Sequence, residues 1–199
     1  MPLLSLSSKI AQALGFTARD HRSGRLVAVI ECILNQNARE RGAATYPAIN
    51  QVILQLCLQY DIGLLQIPCP EMKFLGLRRE RPAGTTLRAC LDTAAGQHCC
   101  QAISRELVDR FQDYIQNGYQ LLAILGGNPD SPGCAVHHER DQQGKERLAD
   151  HSGILMLALQ AELRKKALEV PFVAIRDYRP ELLSDDLSVL ETLFRDGRR

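Results

Sequence analysis

The sequence predicts a single α/β domain, a small parallel sheet of about four strands flanked by helices. Three observations predict it. Short β-type apolar runs alternate with longer stretches of helical periodicity, the pattern of βαβ units. A chain of 199 residues is long enough for one full-sized core and short for two. Three of the seven cysteines, Cys32, Cys69 and Cys134, follow strand-like runs, as they would if parallel strands delivered them to one sheet edge.

The elements follow in order. Leu3, Leu6, Ile10 and Leu14 recur at helical spacing and predict an N-terminal amphipathic helix over 1–20. The start lacks the basic residues of a signal peptide, and Lys9 interrupts its apolar stretch. The first strand is 26–30. Pro47 suits the first turn of a helix whose buried stripe is Ile49, Val52, Ile53, Leu56 and Tyr60. The second strand is 63–67. A long crossover carries Ile103, Leu107, Phe111, Tyr114 and Ile115 at helical spacing and stops at Gly118. The third strand is 121–125, closed by Gly126 and Gly127. Residues 135–150 are charged and glutamine-rich and read as a mobile loop. Residues 154–168 form a helix, apolar around most of its circumference. A fourth strand covers 170–175, and a peripheral helix over 180–196 turns Leu183, Leu187, Leu190 and Phe194 inward. With no internal repeat, the whole of 1–199 is one domain, flavodoxin-like or Rossmann-like, with its site outside the carboxyl ends of the strands.

Composition narrows the function classes. Apolar residues make up 45% and charged residues 24%, as in ordinary globular proteins. A formal charge of +1 gives no global argument for nucleic acid or a membrane surface. No apolar run approaches the roughly 18 residues of a membrane span. An odd cysteine count without regular spacing suits the reducing cytoplasm.

Cys32, Cys69 and Cys134 are the leading chemical candidates. Three converging thiolates can hold an iron–sulfur cluster and leave one iron without a protein ligand. Cys57 reads as a buried apolar residue; Cys90, Cys99 and Cys100 lie in the crossover, away from any strand end. In Pro68-Cys69-Pro70-Glu71, two prolines restrict the backbone around the thiol and hold Glu71 near it. Glu71 is then a general-base candidate, or alternatively a solvated or helix-capping residue. Ser131 is a candidate proton relay or a turn-capping serine. Asn35 and Asn37 can bind the polar edges of a heterocycle or bond their own backbone. Arg39 and Arg41, with Lys73, Arg78, Arg79 and Arg81, form either an electropositive rim for an anion or solvated faces. Cys134 and His137 have a C-x-x-H spacing that no second pair completes into a zinc site.

Taken together, Glu31-Cys32-Ile33-Leu34-Asn35-Gln36-Asn37-Ala38-Arg39, Pro68-Cys69-Pro70-Glu71 and Ser131-Pro132-Gly133-Cys134 resemble the 2-thiouracil desulfurases and their desulfidase relatives, above all the longer branch of that family. The likeness spans about residues 25–175. It implies a [4Fe-4S] cluster on Cys32, Cys69 and Cys134 with one open iron, Glu71 as catalytic acid/base and Ser131 as a second catalytic residue. It also implies a small thiolated heterocycle or nucleotide as substrate. Asn35, Asn37 and Arg39, from their amide and guanidinium groups, are the candidates to bind it. Gly133 stands where the family often has serine. The expected activity is non-redox desulfuration of a thiouracil or thiouridine derivative. The alternatives are a non-catalytic iron–sulfur sensor or accessory protein, and a cluster-based sulfur-transfer protein.

Overall fold

The computed structural model describes residues 20–197. All but the last residue of the helix expected over 1–20 lies outside them. Four parallel strands form the central sheet: β1 (Arg25–Ile30), β2 (Gly63–Ile67), β3 (Gln120–Leu125) and the short β6 (Phe172–Val173). Their spatial order is β2-β1-β3-β6, the flavodoxin-like order. As the innermost run, β1 has apolar residues on both faces, and Val27, Ala28 and Val29 are wholly buried. The fourth strand is shorter than 170–175, but backbone bonds from Ile124 to Pro171, Gly126 to Val173 and Ile175 to Gly126 run along most of that stretch.

Helix α1 (Glu31–Leu34) is a single turn directly after β1, and α2 (Gln51–Gln59) leads to β2. After β2 come α3 (Pro70–Leu75), α4 (Leu87–Leu91) and α5 (Ala94–Gln116). Next are α6 (Ile154–Lys165) before β6 and α7 (Pro180–Asp196) after it. Right-handed crossovers running in opposite directions place their helices on opposite faces, so α2 covers one face and α5 with α6 the other. Contacts of α5 with α6 and of α2 with α7 agree. Gly118 ends the crossover as expected, at φ +84°. Among the described residues no helix is long and apolar enough to cross a membrane.

Two expectations change. Pro47 does not open α2. The helix begins four residues later, where the Asn50 side chain accepts the Ile53 N–H at 3.2 Å. Gln36 N–H bonds the Ala48 carbonyl and Asn50 N–H the Ile33 carbonyl, which ties 48–50 to the α1 loop. Residues 135–150 are not an irregular loop but carry an antiparallel hairpin, β4 (His138–Arg140) with β5 (Glu146–Leu148). Its polar strands are linked across by the Glu139–Arg147 ion pair and by a contact of His138 Nδ1 with the Glu146 carboxylate at 2.7 Å. The Asp141 carboxylate accepts the N–H groups of Gln143 and Lys145 to close the turn.

Candidate functional site

The sheet reverses direction between β1 and β3, and outside their carboxyl ends lies a pocket of about 440 Å³. Cys32, Arg39, Cys69, Glu71, Ser131 and Cys134 all line it. Four loops build it, those after β1, β2, β3 and β6.

Each of the three thiol-bearing loops is tied down by bonds beside its cysteine. Within the first, the buried Gln36 carboxamide donates to the Cys32 carbonyl at 2.8 Å and accepts Thr45 N–H at 3.0 Å. The Glu31 carboxylate reaches across to accept the Cys69 backbone N–H at 2.8 Å, linking the first two thiol-bearing loops. Cys69 is the N-cap of α3, with Pro70 at the first helical position, where its missing N–H costs nothing. Glu71 therefore sits in the first turn of α3 and is buried. Its helix-end position and its place in the pocket are one fact.

The third loop rests on α6. The Ile154 and Leu155 N–H groups, free at a helix start, donate to the Pro132 and Gly133 carbonyls at 3.0 Å each. Ser131 Oγ lies 3.0 Å from Cys134 Sγ and accepts the Cys134 N–H at 3.3 Å. Gly133 has a steric reason. A Cβ there would stand 2.6 Å from Pro70 Cγ, so the prolyl ring occupies the space a serine would need.

Burial dominates the electrostatics. It pushes the Cys32 thiol up to about 11, against the opposing pull of the Arg39 guanidinium. The Cys69 and Cys134 thiols are raised by the same cause. Glu71 is raised by burial too, with Arg79 and the Gly133 backbone N–H working the other way. The cations are themselves positioned. Arg39 pairs with Asp177 at 2.7 Å, and Asp177 also accepts from Asn50 at 3.2 Å and Asn128 at 3.0 Å. Arg79 is 2% exposed and donates to Cys69 Sγ at 3.4 Å.

Cys32, Cys69 and Cys134 are the residues that could hold an iron–sulfur cluster. Three soft sulfurs face one cavity, with two fixed guanidiniums beside them to balance thiolate charge. The thiol sulfur of Cys134 has glycine on one side, since a Cβ on Gly127 would lie 2.6 Å from it. Among the described residues no three His, Cys, Asp or Glu side chains are grouped to hold a single metal ion.

Other sequence candidates lie elsewhere. Asn35 and Asn37 are exposed and bonded to each other, Asn35 Oδ1 accepting from Asn37 at 3.0 and 3.1 Å, and neither lines the pocket. His137 bonds the Pro129 carbonyl at 3.0 Å and stacks on His151. Cys57, Cys90 and Cys100 are buried, Cys57 in α2 and the others in the crossover helices. Of the basic run after Cys69, Lys73 and Arg78 are exposed and Arg81 pairs with Glu40 at 3.1 Å, so Arg79 alone enters the site. Asp177, and the part Glu31 plays in the first motif, leave no signal in the sequence, because their partners are 138 and 38 residues away.

No protein-family model matches the chain, and no solved structure matches it. It is 28% identical over 152 residues to an uncharacterized protein of Methanocaldococcus jannaschii, a match covering 74% of this chain and 86% of that protein.

Proposed function

We propose that the chain is a non-redox desulfidase that removes sulfur from a thiolated heterocycle, a thiouracil or thiouridine derivative, with the help of a [4Fe-4S] cluster. The supporting observation is the pocket at the sheet's reversal point, where three thiols, a buried carboxylate and a serine hydroxyl meet. Cys32, Cys69 and Cys134 would hold the cluster and, being only three, leave one iron open. When bound, that iron supplies a Lewis acid for the thiocarbonyl sulfur. The net reaction replaces a C=S bond with C=O. The oxygen of water goes to carbon, its two protons leave with sulfur as hydrogen sulfide, and no electrons are exchanged overall.

The chain's own groups handle water and protons. Glu71, whose proton affinity burial raises above that of an ordinary carboxylate, accepts a proton from the attacking water. Ser131, whose Oγ already lies 3.0 Å from Cys134 Sγ, passes the second proton toward the departing sulfur. Arg39, held by Asp177, stands at the pocket wall to meet a polar or anionic part of the substrate. The reducing cytoplasm is the compartment that keeps such thiols free.

The test is anaerobic reconstitution, followed by iron counts and sulfide release from 2-thiouracil and 4-thiouridine. Iron binding should depend on Cys32, Cys69 and Cys134 and not on Cys99 or Cys100. Glu71→Gln should keep iron and lose sulfide release. A chain that binds the cluster but releases no sulfide from either compound is a sensor or sulfur-transfer protein. A chain that binds no iron refutes the proposal outright.

A further inference from the structure

Between the Cys69 thiol and the Glu71 carboxylate the pocket wall carries a buried guanidinium. Arg79 occupies the left-handed region at φ +51°, a conformation that costs a non-glycine residue energy. Nη1 donates to the Leu77 carbonyl at 2.9 Å, and Nη2 to the Ala38 carbonyl at 2.5 Å and to Cys69 Sγ at 3.4 Å. The Ala38 bond spans from the loop after β2 to the loop after β1. Nε is buried without a hydrogen-bond partner and faces Glu71 Oε2 at 3.7 Å. The two charges already form an ion pair, yet the buried N–H makes no hydrogen bond, which is costly and calls for a use.

We propose that Arg79 is the positioning residue of the site: its planar fork sets Glu71 relative to Cys69, and its unused Nε–H closes on Glu71 when the pocket is filled. Hydrogen bonds of this kind are often long in an empty site and tighten on binding. Lysine would keep the charge but cannot reach Ala38, Leu77, Cys69 and Glu71 from one ammonium. The kinetic consequence rests on the desulfidase reading; the pairing of Arg79 with Glu71 belongs to the metal-free chain and does not.

Two experiments decide it. First, thermal melts compare the metal-free wild type with Arg79→Gln, Glu71→Gln and the double variant. The double variant is expected to melt no lower than Arg79→Gln, because the partnership is lost only once. Strictly additive losses overturn the pairing. Second, Arg79→Lys in the reconstituted protein is expected to keep the wild-type iron count and a KM within about twofold, while kcat falls roughly a hundredfold, the scale of a misplaced catalytic group. Wild-type kcat in Arg79→Lys overturns the positioning role. If the wild type itself releases no sulfide, the desulfidase reading fails while the melts still judge the pairing.

Discussion

Gly127 lets the sulfur of Cys134 stand where it does. An alanine there places its methyl carbon 2.6 Å from Cys134 Sγ and 3.1 Å from Ile30 Cδ1. Non-bonded contacts settle at about 3.5–4.0 Å, so the sulfur must retreat by roughly 1 Å. Retreat breaks the contact with Ser131 Oγ at 3.0 Å, worth about 1 kcal/mol. Overpacking a filled site adds about 1–3 kcal/mol. Gly127→Ala should therefore cost about 2–4 kcal/mol and lower the melting temperature by roughly 4–16 °C for a chain of this size. Circular dichroism melts of the metal-free protein read the first effect, and iron counts after reconstitution read the loss of a correctly aimed thiol. A variant that melts within about 2 °C of wild type and binds full iron would refute the reasoning.

Asp177→Ala leaves the Arg39 guanidinium buried without its partner and should cost about 3–5 kcal/mol in urea unfolding, with Arg39→Ala adding little to it. Asn50→Ala removes both the cap of α2 and a bond to Asp177; a loss of about 1–2 kcal/mol is expected in the same assay. Glu31→Ala should weaken iron retention by freeing the Cys69 N–H, measured as faster release to a chelator, and Glu31→Gln should restore it. Cys57 and Cys100 are pushed up to about 12 by burial, above an ordinary thiol at 9.0. The fold then holds these protons more tightly than the unfolded chain, so stability is full below pH 9 and falls as pH rises above it. Urea midpoints of the metal-free protein should drop between about pH 9 and pH 10, and less steeply in a Cys57→Ala, Cys100→Ala variant.

Strands β1 and β3 were legible because each is an apolar run after one polar residue, buried toward its carboxyl end, and β2 because Leu64, Leu65 and Ile67 mark a short run broken only by the exposed Gln66. The crossover helix was legible from Ile103, Leu107 and Phe111, all buried in α5. The hairpin was not, because its strands are short and polar, paired across by side-chain contacts such as Glu139 with Arg147, and leave no apolar alternation in the sequence. The start of α2 was misplaced for a related reason. Pro47 is a helix-start signal, but Asn50 takes the cap while the residues before it bond back to the α1 loop.

By itself the sequence determined the α/β class and the placement of Cys32, Cys69 and Cys134 after three strands, because periodicity and strand ends are local properties of the chain. Only the tertiary structure decided that β1 and β3 flank the reversal point and that all three thiols line one pocket with Glu71 and Ser131. It alone drew Arg79 out of a basic run and Asp177 out of a loop. The physical reason is that burial and charge pairing act through space. Residues 138 positions apart, such as Arg39 and Asp177, become neighbours only once the sheet order is set.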